Sequence, residues 1–145
     1  MKVKDFIIGV RHMGVIVDDI NASVELYKRL YDLDNDEIRF FPPPGSEASR
    51  EAQFAFVPLG GMEFELIQPI SEGFKEKISN PPAGINHVAF TVRDLEKAVA
   101  CMAAKGVRLG HVTRDGILDM KRSKVAYFNP EDTGGILVEF VEPAE

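Results

Sequence analysis

Several features are scarce in this 145-residue chain, and each scarcity narrows the classes of function. Cys101 is the only cysteine, which excludes an intrachain disulfide, and its apolar helical surroundings predict a core residue rather than a nucleophile. No apolar stretch approaches the roughly 20 residues that span a membrane. The start of the chain lacks a long apolar run and a cleavage pattern, so we expect a cytoplasmic protein without a signal peptide.

Positive charge is also in short supply. The chain has 17 Lys and Arg against 23 Asp and Glu, and its formal net charge is −6. A protein that binds nucleic acid or an anionic membrane would be expected to carry a basic face. The composition therefore predicts a soluble domain with neither partner, and leaves room for an anionic small molecule held by a few local cations.

The sequence does contain an internal repeat. Residues 12–20, HMGVIVDDI, recur as residues 87–95, HVAFTVRDL. Residues 65–69, ELIQP, recur as residues 139–143, EFVEP. A repeat of this kind is typical of a duplicated supersecondary unit, so it constrains the architecture before any residue is given a role.

The repeat predicts two modules within a single domain of 145 residues. The first module covers about 7–69, a linker covers 70–83, and the second module covers about 84–143. Each module is expected to contain a strand, a helix and three more strands, because apolar spacing changes from strand-like to helical after the first strand. In the second module, the strand after the helix is predicted at 107–113.

Each module alone is too small to bury its sheet well. The sequence therefore predicts an α+β fold in which two tandem βαβββ modules form one curved mixed sheet around a metal-binding cleft.

The metal site in that prediction is inferred from the positions of two His and two Glu residues. His12 and His87 occupy matching places in the first strands, and Glu65 and Glu139 occupy matching places in the last strands. Two-fold pairing of the modules would collect two imidazoles and two carboxylates. That set suits a divalent first-row metal such as Co, Mn, Ni, Zn or Fe, with positions left open for water or a chelating substrate.

A structural interpretation of these residues remains open. A lone His in a strand is more often structural than a ligand, and a duplication would also preserve a duplicated structural residue. His111, the third histidine, has no counterpart in the other repeat. We predict that it lies on a strand face and has a structural role.

Four segments of the chain resemble the vicinal oxygen chelate superfamily, and within it the methylmalonyl-CoA epimerase family. They are residues 84–90, GINHVAF; 105–109, KGVRL; 125–130, VAYFNP; and 133–139, TGGILVE. The resemblance covers nearly the whole chain, and the last two segments are its most specific part. It also has two departures: residues 46–53 lack the family's acidic and Gln-Gly-Val-type motif, and Asn129-Pro130 replaces its usual His-Pro.

The resemblance implies a metal-dependent isomerase that epimerises methylmalonyl-CoA-like thioesters through α-proton abstraction and a metal-stabilised enolate. The family's metal positions fall on His12, Glu65, His87 and Glu139. Glu139 is the first candidate for the catalytic base. Glu65 or a loop carboxylate, Glu47 or Glu51, would serve the opposite face.

The resemblance also implies partners. An acyl-CoA substrate would need cations for its tail, and candidates in or near loops are Arg39, Lys121, Arg122 and Lys124. Each of these alone is more simply interpreted as a solvated surface charge. Members of the superfamily are usually homodimers, and an exposed Phe40–Phe41 edge would suit an interface.

Other functions remain open on the same residues. A glyoxalase I-type lactoylglutathione lyase would use the same four ligands on a glutathione hemithioacetal. A dioxygenase of this superfamily would need two His and one carboxylate, which leaves Glu65 superfluous. A non-enzymatic small-molecule binding or resistance protein belongs to a different class, and retention of all four ligands argues against it.

Overall fold

The computed structural model describes residues 1–46 and 50–144. Contacts divide the chain into two compact units. The first unit is His12–Asn86, and the second unit consists of Met1–Arg11 together with His87–Glu145. Strands β1 (Ile7–Ile16) and β5 (Gly84–Val92) each contain the point at which one unit gives way to the other.

The first unit contains the β-α-β-β-β succession that the repeat predicts. After β1 come α1 (Ile20–Tyr31), β2 (Arg39–Phe41), β3 (Ala52–Leu59) and β4 (Met62–Pro69), with α2 (Glu72–Lys77) beyond them. The strands are hydrogen-bonded in the order β2-β3-β4-β1. Only the β4–β1 pairing among these is parallel.

The second unit repeats this arrangement. After β5 come α3 (Leu95–Ala103), β6 (Leu118–Asp119), β7 (Ser123–Tyr127) and β8 (Leu137–Pro143). Its strands are hydrogen-bonded in the order β5-β8-β7-β6, with β5 and β8 parallel. The predicted α+β class and the two βαβββ modules are thus confirmed, while the module and linker boundaries stay a prediction.

Each unit packs its long helix on one face of its strands. In the first unit Ile20 and Val24 of α1 are buried in a cluster with Leu66 of β4. In the second unit Leu95 and Ala98 of α3 are buried with a cluster of aromatic and aliphatic residues, namely Phe6, Val92, Ala126, Phe128 and Phe140. Because side chains alternate across a strand, the residues between these positions point to the opposite face.

The predicted core role of Cys101 is confirmed, because it is partly buried against the cluster of the second unit. The N-terminal segment contributes to the same cluster through Phe6, whose carbonyl also accepts a hydrogen bond of 2.9 Å from the Arg93 amide. Among the described residues, no helix combines the length and apolar character needed to cross a membrane.

The strand predicted at 107–113 is wrong. In this segment Leu109 forms an isolated bridge with Phe128, and residues His111–Thr113 form a 3-10 turn. The strand that occupies this place in the module is β6, which begins five residues after the predicted strand would have ended. The apolar alternation of 107–113 therefore reflects packing of a short irregular segment, because such runs do not distinguish strands from other buried backbone.

A second matched pair in the repeat has a structural role. Gln68 accepts a hydrogen bond of 2.9 Å from the backbone amide of Ile20, the first residue of α1. Glu142 accepts one of 2.8 Å from Leu95, the first residue of α3. Both side chains lie three residues beyond a candidate ligand, Glu65 or Glu139, and so point to the helix face. They satisfy an amide that the helix itself leaves without a partner.

We expect Glu142→Ala to lower the free energy of unfolding by about 1–2 kcal/mol, because it removes this cap from a partly buried helix end. Glu142→Gln is the matched control and should stay within about 0.5 kcal/mol of the wild-type value, since an amide oxygen performs the same task at Gln68. Urea unfolding of the two variants measures the difference. Equal stabilities for the two variants would contradict the capping role.

Candidate functional site

The first unit brings its predicted metal ligands together. His12 on β1 and Glu65 on β4 have Nε2 and Oε1 3.7 Å apart, and their side chains are 8% and 14% exposed. The two strands are parallel neighbours in which His12 faces Glu63 and Gly14 faces Glu65. The imidazole and the carboxylate therefore meet diagonally, with a glycine beside the carboxylate.

The second unit repeats this geometry. The Nε2 of His87 on β5 and the Oε1 of Glu139 on β8 lie 3.3 Å apart, with side chains 2% and 6% exposed. Here His87 faces Leu137 and the small residue Ala89 faces Glu139, so the register matches that of the first unit. The duplication thus preserves a buried His–Glu pair and the strand register that creates it.

The donor atoms of each pair fit a metal ion. Imidazole nitrogen and carboxylate oxygen bind divalent first-row metals at about 2.0–2.2 Å, so neighbouring ligands of an octahedral ion lie about 3 Å apart. The separations of 3.3 Å and 3.7 Å are close to that spacing. A buried carboxylate is also costly without a cation or several hydrogen-bond donors near it. Each pair is therefore suited to occupy two positions around a divalent ion.

Aromatic side chains extend the site of the second unit. Tyr127 on β7 faces Glu139 across the sheet, and its ring lies edge-on to that of His87 with centroids 5.6 Å apart. The ring of His111 also packs on Tyr127, with centroids 4.8 Å apart and planes inclined by 37°. His111 thus belongs to the neighbourhood of the candidate ligands, and its predicted position on a strand face is wrong.

His111 is an uncharged imidazole at neutral pH. The pKa of His111 is lowered from 6.5 to about 4, mainly by burial; the charges of His87 and Arg114 contribute to the lowering, and Glu139 acts in the opposite direction. A neutral imidazole carries one N–H donor and one acceptor nitrogen. The side chain can therefore give or accept a hydrogen bond without changing the net charge of the site.

The most specific segment of the family resemblance builds a turn. Gly134 and Gly135 have φ of 74° and 86°, in the left-handed region that favours glycine, and Thr133 Oγ1 donates a hydrogen bond of 2.7 Å to the carbonyl of Ile136. The turn leads directly into β8. Its contribution is to fix where β8 begins, and hence which strand position Glu139 occupies. Asn129, in place of the family's His, accepts a hydrogen bond from the Glu131 amide at the same turn.

The other candidates are less closely tied to the pairs. Glu47 lies outside the described residues. Glu51 is exposed, and its backbone carbonyl accepts hydrogen bonds from Ile70 and Ser71 beside the end of β4. The two predictions of a second carboxylate therefore stay predictions.

The cations proposed for the CoA tail lie at the surface. Arg39 is stacked over the ring of Phe56, 4.5 Å from its centroid, and Phe56 faces Glu65 across the strands. Lys121 and Arg122 are exposed, and Lys124 of β7 is partly buried. Among these cations, Arg39 is therefore linked to a candidate metal ligand, because it packs on Phe56 and Phe56 is the strand partner of Glu65.

The aromatic edge proposed as an interface is only half exposed. Phe41 is 61% exposed, whereas Phe40 is partly buried against the core of the first unit. The expectation that both rings are exposed is therefore wrong for Phe40. The homodimer stays a prediction.

A cavity of about 270 Å³ lies elsewhere in the first unit. It is lined by residues after β1, after β4 and around α2, including Asp18, Lys75 and Asn80. None of the predicted metal ligands is among its described lining residues. The candidate metal site of the first unit, formed by His12 and Glu65, is therefore separate from this cavity.

The chain matches the family model of the Glyoxalase/Bleomycin resistance protein/Dioxygenase superfamily over residues 11–127. It therefore belongs to that superfamily, and the family resemblance inferred from the sequence is confirmed. The match includes His12, Glu65 and His87 and ends at Tyr127, before Glu139.

Among the proteins to which the chain is similar are two named epimerases and one solved epimerase structure. The chain is 27% identical to the mitochondrial methylmalonyl-CoA epimerase of Bos taurus over 88% of this chain and 70% of that protein. It is 27% identical to the ethylmalonyl-CoA/methylmalonyl-CoA epimerase of Cereibacter sphaeroides over 88% of this chain and 92% of that protein. A variant of the Streptomyces coelicolor methylmalonyl-CoA epimerase, solved with 2-nitronate-propionyl-CoA, has the same fold, with a TM-score of 0.73, 22% identity, and coverage of 96% and 99% of the two chains.

Proposed function

We propose that this protein is a metal-dependent isomerase that epimerises methylmalonyl-CoA or a closely related acyl-CoA thioester. The observation that carries the proposal is the pair of buried His–Glu couples, His12 with Glu65 and His87 with Glu139, in the same strand register in both units. The names of the relatives support the choice of an acyl-CoA epimerase over other members of the superfamily.

The proposed metal ligands are His12, Glu65, His87 and Glu139. Their imidazole and carboxylate donors are those preferred by Co, Mn, Ni, Zn and Fe, and the proposal does not depend on which of these is bound. When bound, a divalent cation supplies Lewis-acid stabilisation of the negative charge that develops on the thioester oxygen.

The carboxylates of the chain are proposed to move the proton. Removal of the α-proton breaks the C–H bond, passes the proton to one carboxylate and leaves its electron pair delocalised toward the thioester oxygen. Return of a proton to the other face of the same carbon inverts it, so the reaction needs one acid or base on each face. Glu139 is the proposed group for one face and Glu65 for the other.

Deuterium wash-in tests the proposed function. Protein incubated with methylmalonyl-CoA in D₂O should incorporate one deuterium at C2 and convert each epimer to the other. The same protein should show no formation of lactoylglutathione from methylglyoxal and glutathione. Lactoylglutathione formation without exchange at C2 would assign the glyoxalase-type reaction instead. Binding of the thioester without exchange would assign a non-enzymatic binder.

A further inference from the structure

His111 combines two features that each cost free energy. Its Nδ1 and Nε2 are buried and lack a hydrogen-bond partner among the described residues. Its backbone φ is 53°, in the left-handed region that residues other than glycine adopt uncommonly. Buried polar atoms without partners and strained backbone persist mainly at functional sites, where a ligand or the reaction uses them.

The turn that carries His111 is fastened to β7. The Oγ1 of Thr113, a residue only 1% exposed, lies 2.9 Å from the carbonyl oxygens of both Gly110 and Tyr127, which share its single proton, and it accepts a hydrogen bond of 2.8 Å from the Tyr127 amide. The amide of Gly110 also donates to the Tyr127 carbonyl. These bonds hold the backbone on both sides of His111 against the strand that faces Glu139.

Gly110 permits this close approach. A Cβ atom at Gly110 would lie 2.8 Å from the Cα and 2.9 Å from the backbone nitrogen of Asn129, which is closer than real side chains approach. The turn therefore sits tightly against the chain that leaves β7. The backbone on both sides of His111 is therefore held in place by the fold, and the imidazole ring packs on Tyr127.

We propose that His111 is a substrate-binding residue whose ring N–H donates a hydrogen bond to the free carboxylate of a malonyl-type acyl group. The inference rests on the proposed function and names how its substrate class is selected. A cation held by the proposed ligands would supply positive charge at the thioester oxygen, and the carboxylate of the acyl group would keep oxygen lone pairs that can accept a hydrogen bond. A neutral imidazole is well suited to such a carboxylate oxygen, because a hydrogen bond to an anionic acceptor is stronger than one between neutral groups.

The test compares two ligands that differ in the carboxylate. Malonyl-CoA and acetyl-CoA, neither of which has a C2 stereocentre, are titrated calorimetrically into the metal-loaded protein. His111→Phe keeps a ring over Tyr127 and removes both nitrogens, so its affinity for malonyl-CoA should fall about 10- to 100-fold while its affinity for acetyl-CoA is unchanged. His111→Asn keeps an N–H donor and tolerates a left-handed φ, so it should retain most of the preference for malonyl-CoA.

Two outcomes would overturn the inference. The first is wild-type affinity of His111→Phe for malonyl-CoA, and the second is an equal loss of affinity for both ligands. If the Phe variant does not fold, His111→Gly provides the same comparison, because it relaxes the left-handed backbone and also lacks the donor. If wild-type protein exchanges deuterium at C2 and only the His111 comparison fails, the proposed function stands. Wild-type protein that neither exchanges nor binds malonyl-CoA overturns both.

Discussion

Glu139→Gln is expected to lower epimerisation of methylmalonyl-CoA by about 10²- to 10⁴-fold, which is the usual contribution of a general acid or base. The substitution preserves the shape of a side chain that is 6% exposed and 3.3 Å from His87, but an amide cannot take up the α-proton. The matched variant is Glu65→Gln, which makes the same change in the first unit.

Measuring deuterium exchange on each epimer separately distinguishes the roles of Glu139 and Glu65. When one base is lost, the epimer whose proton faces it should no longer exchange. The other epimer should still exchange its proton with D₂O without being inverted. Glu139→Gln and Glu65→Gln should therefore retain exchange with opposite epimers, while both lose interconversion.

Metal content must be measured in the same samples, since both carboxylates are also proposed ligands. Variants that bind metal normally and lose exchange with one epimer each would support the two-base assignment. Wild-type exchange of both epimers by Glu139→Gln would remove Glu139 as a base. A loss of exchange that follows the loss of metal in proportion would make it a ligand only.

Removal of the metal is the second change with a large expected effect. Dialysis against a chelator should abolish exchange at C2 and lower the melting temperature, because an ion that binds only the folded state stabilises it by RT ln(1 + [metal]/Kd). At a free metal concentration of 100 Kd this amounts to about 2.7 kcal/mol. Titration of the stripped protein with Co, Mn, Ni, Zn and Fe, followed by melting temperature and by exchange, identifies the ions that restore both.

The repeat supplies matched variants for this experiment. His12→Ala and His87→Ala should each weaken metal binding at least about 100-fold, since loss of a direct ligand costs more than loss of a group that orients one. His111→Asn is the histidine control and should leave metal affinity unchanged. If one of the two Ala variants bound metal as the wild type does, that histidine would not be a ligand. If the stripped protein bound no divalent metal, the proposed metal site would be wrong.

The sequence predicted the architecture through two kinds of pattern. Ile20, Val24, Tyr27 and Tyr31 recur at helical spacing, and α1 covers Ile20–Tyr31. Its N-cap is Asp19, whose side chain accepts a hydrogen bond from the Ala22 amide. These predictions succeed because helix periodicity and capping are local properties. Because the duplicated segments match, the elements predicted in one module are also expected in the other.

The structural partners of the site were harder to predict. Gln68 and Glu142 occupy matching repeat positions, so a signal was present, but their hydrogen bonds join residues 48 and 47 positions apart. In the same way, the Thr113 hydroxyl reaches the backbone of Tyr127, 14 positions away. Contacts of this range depend on which strands become neighbours, and local patterns carry no record of it.

The duplicated βαβββ plan and the matched positions of His12, Glu65, His87 and Glu139 could be predicted without the structure, because both follow from self-similarity and from the period of apolar residues. Tertiary structure alone decided the strand register that sets each His beside its Glu, and the placement of His111 over Tyr127 on a 3-10 turn. The physical reason is that these features arise from hydrogen bonds and packing between distant segments. Such contacts can override the strand-like alternation that residues 107–113 show on their own.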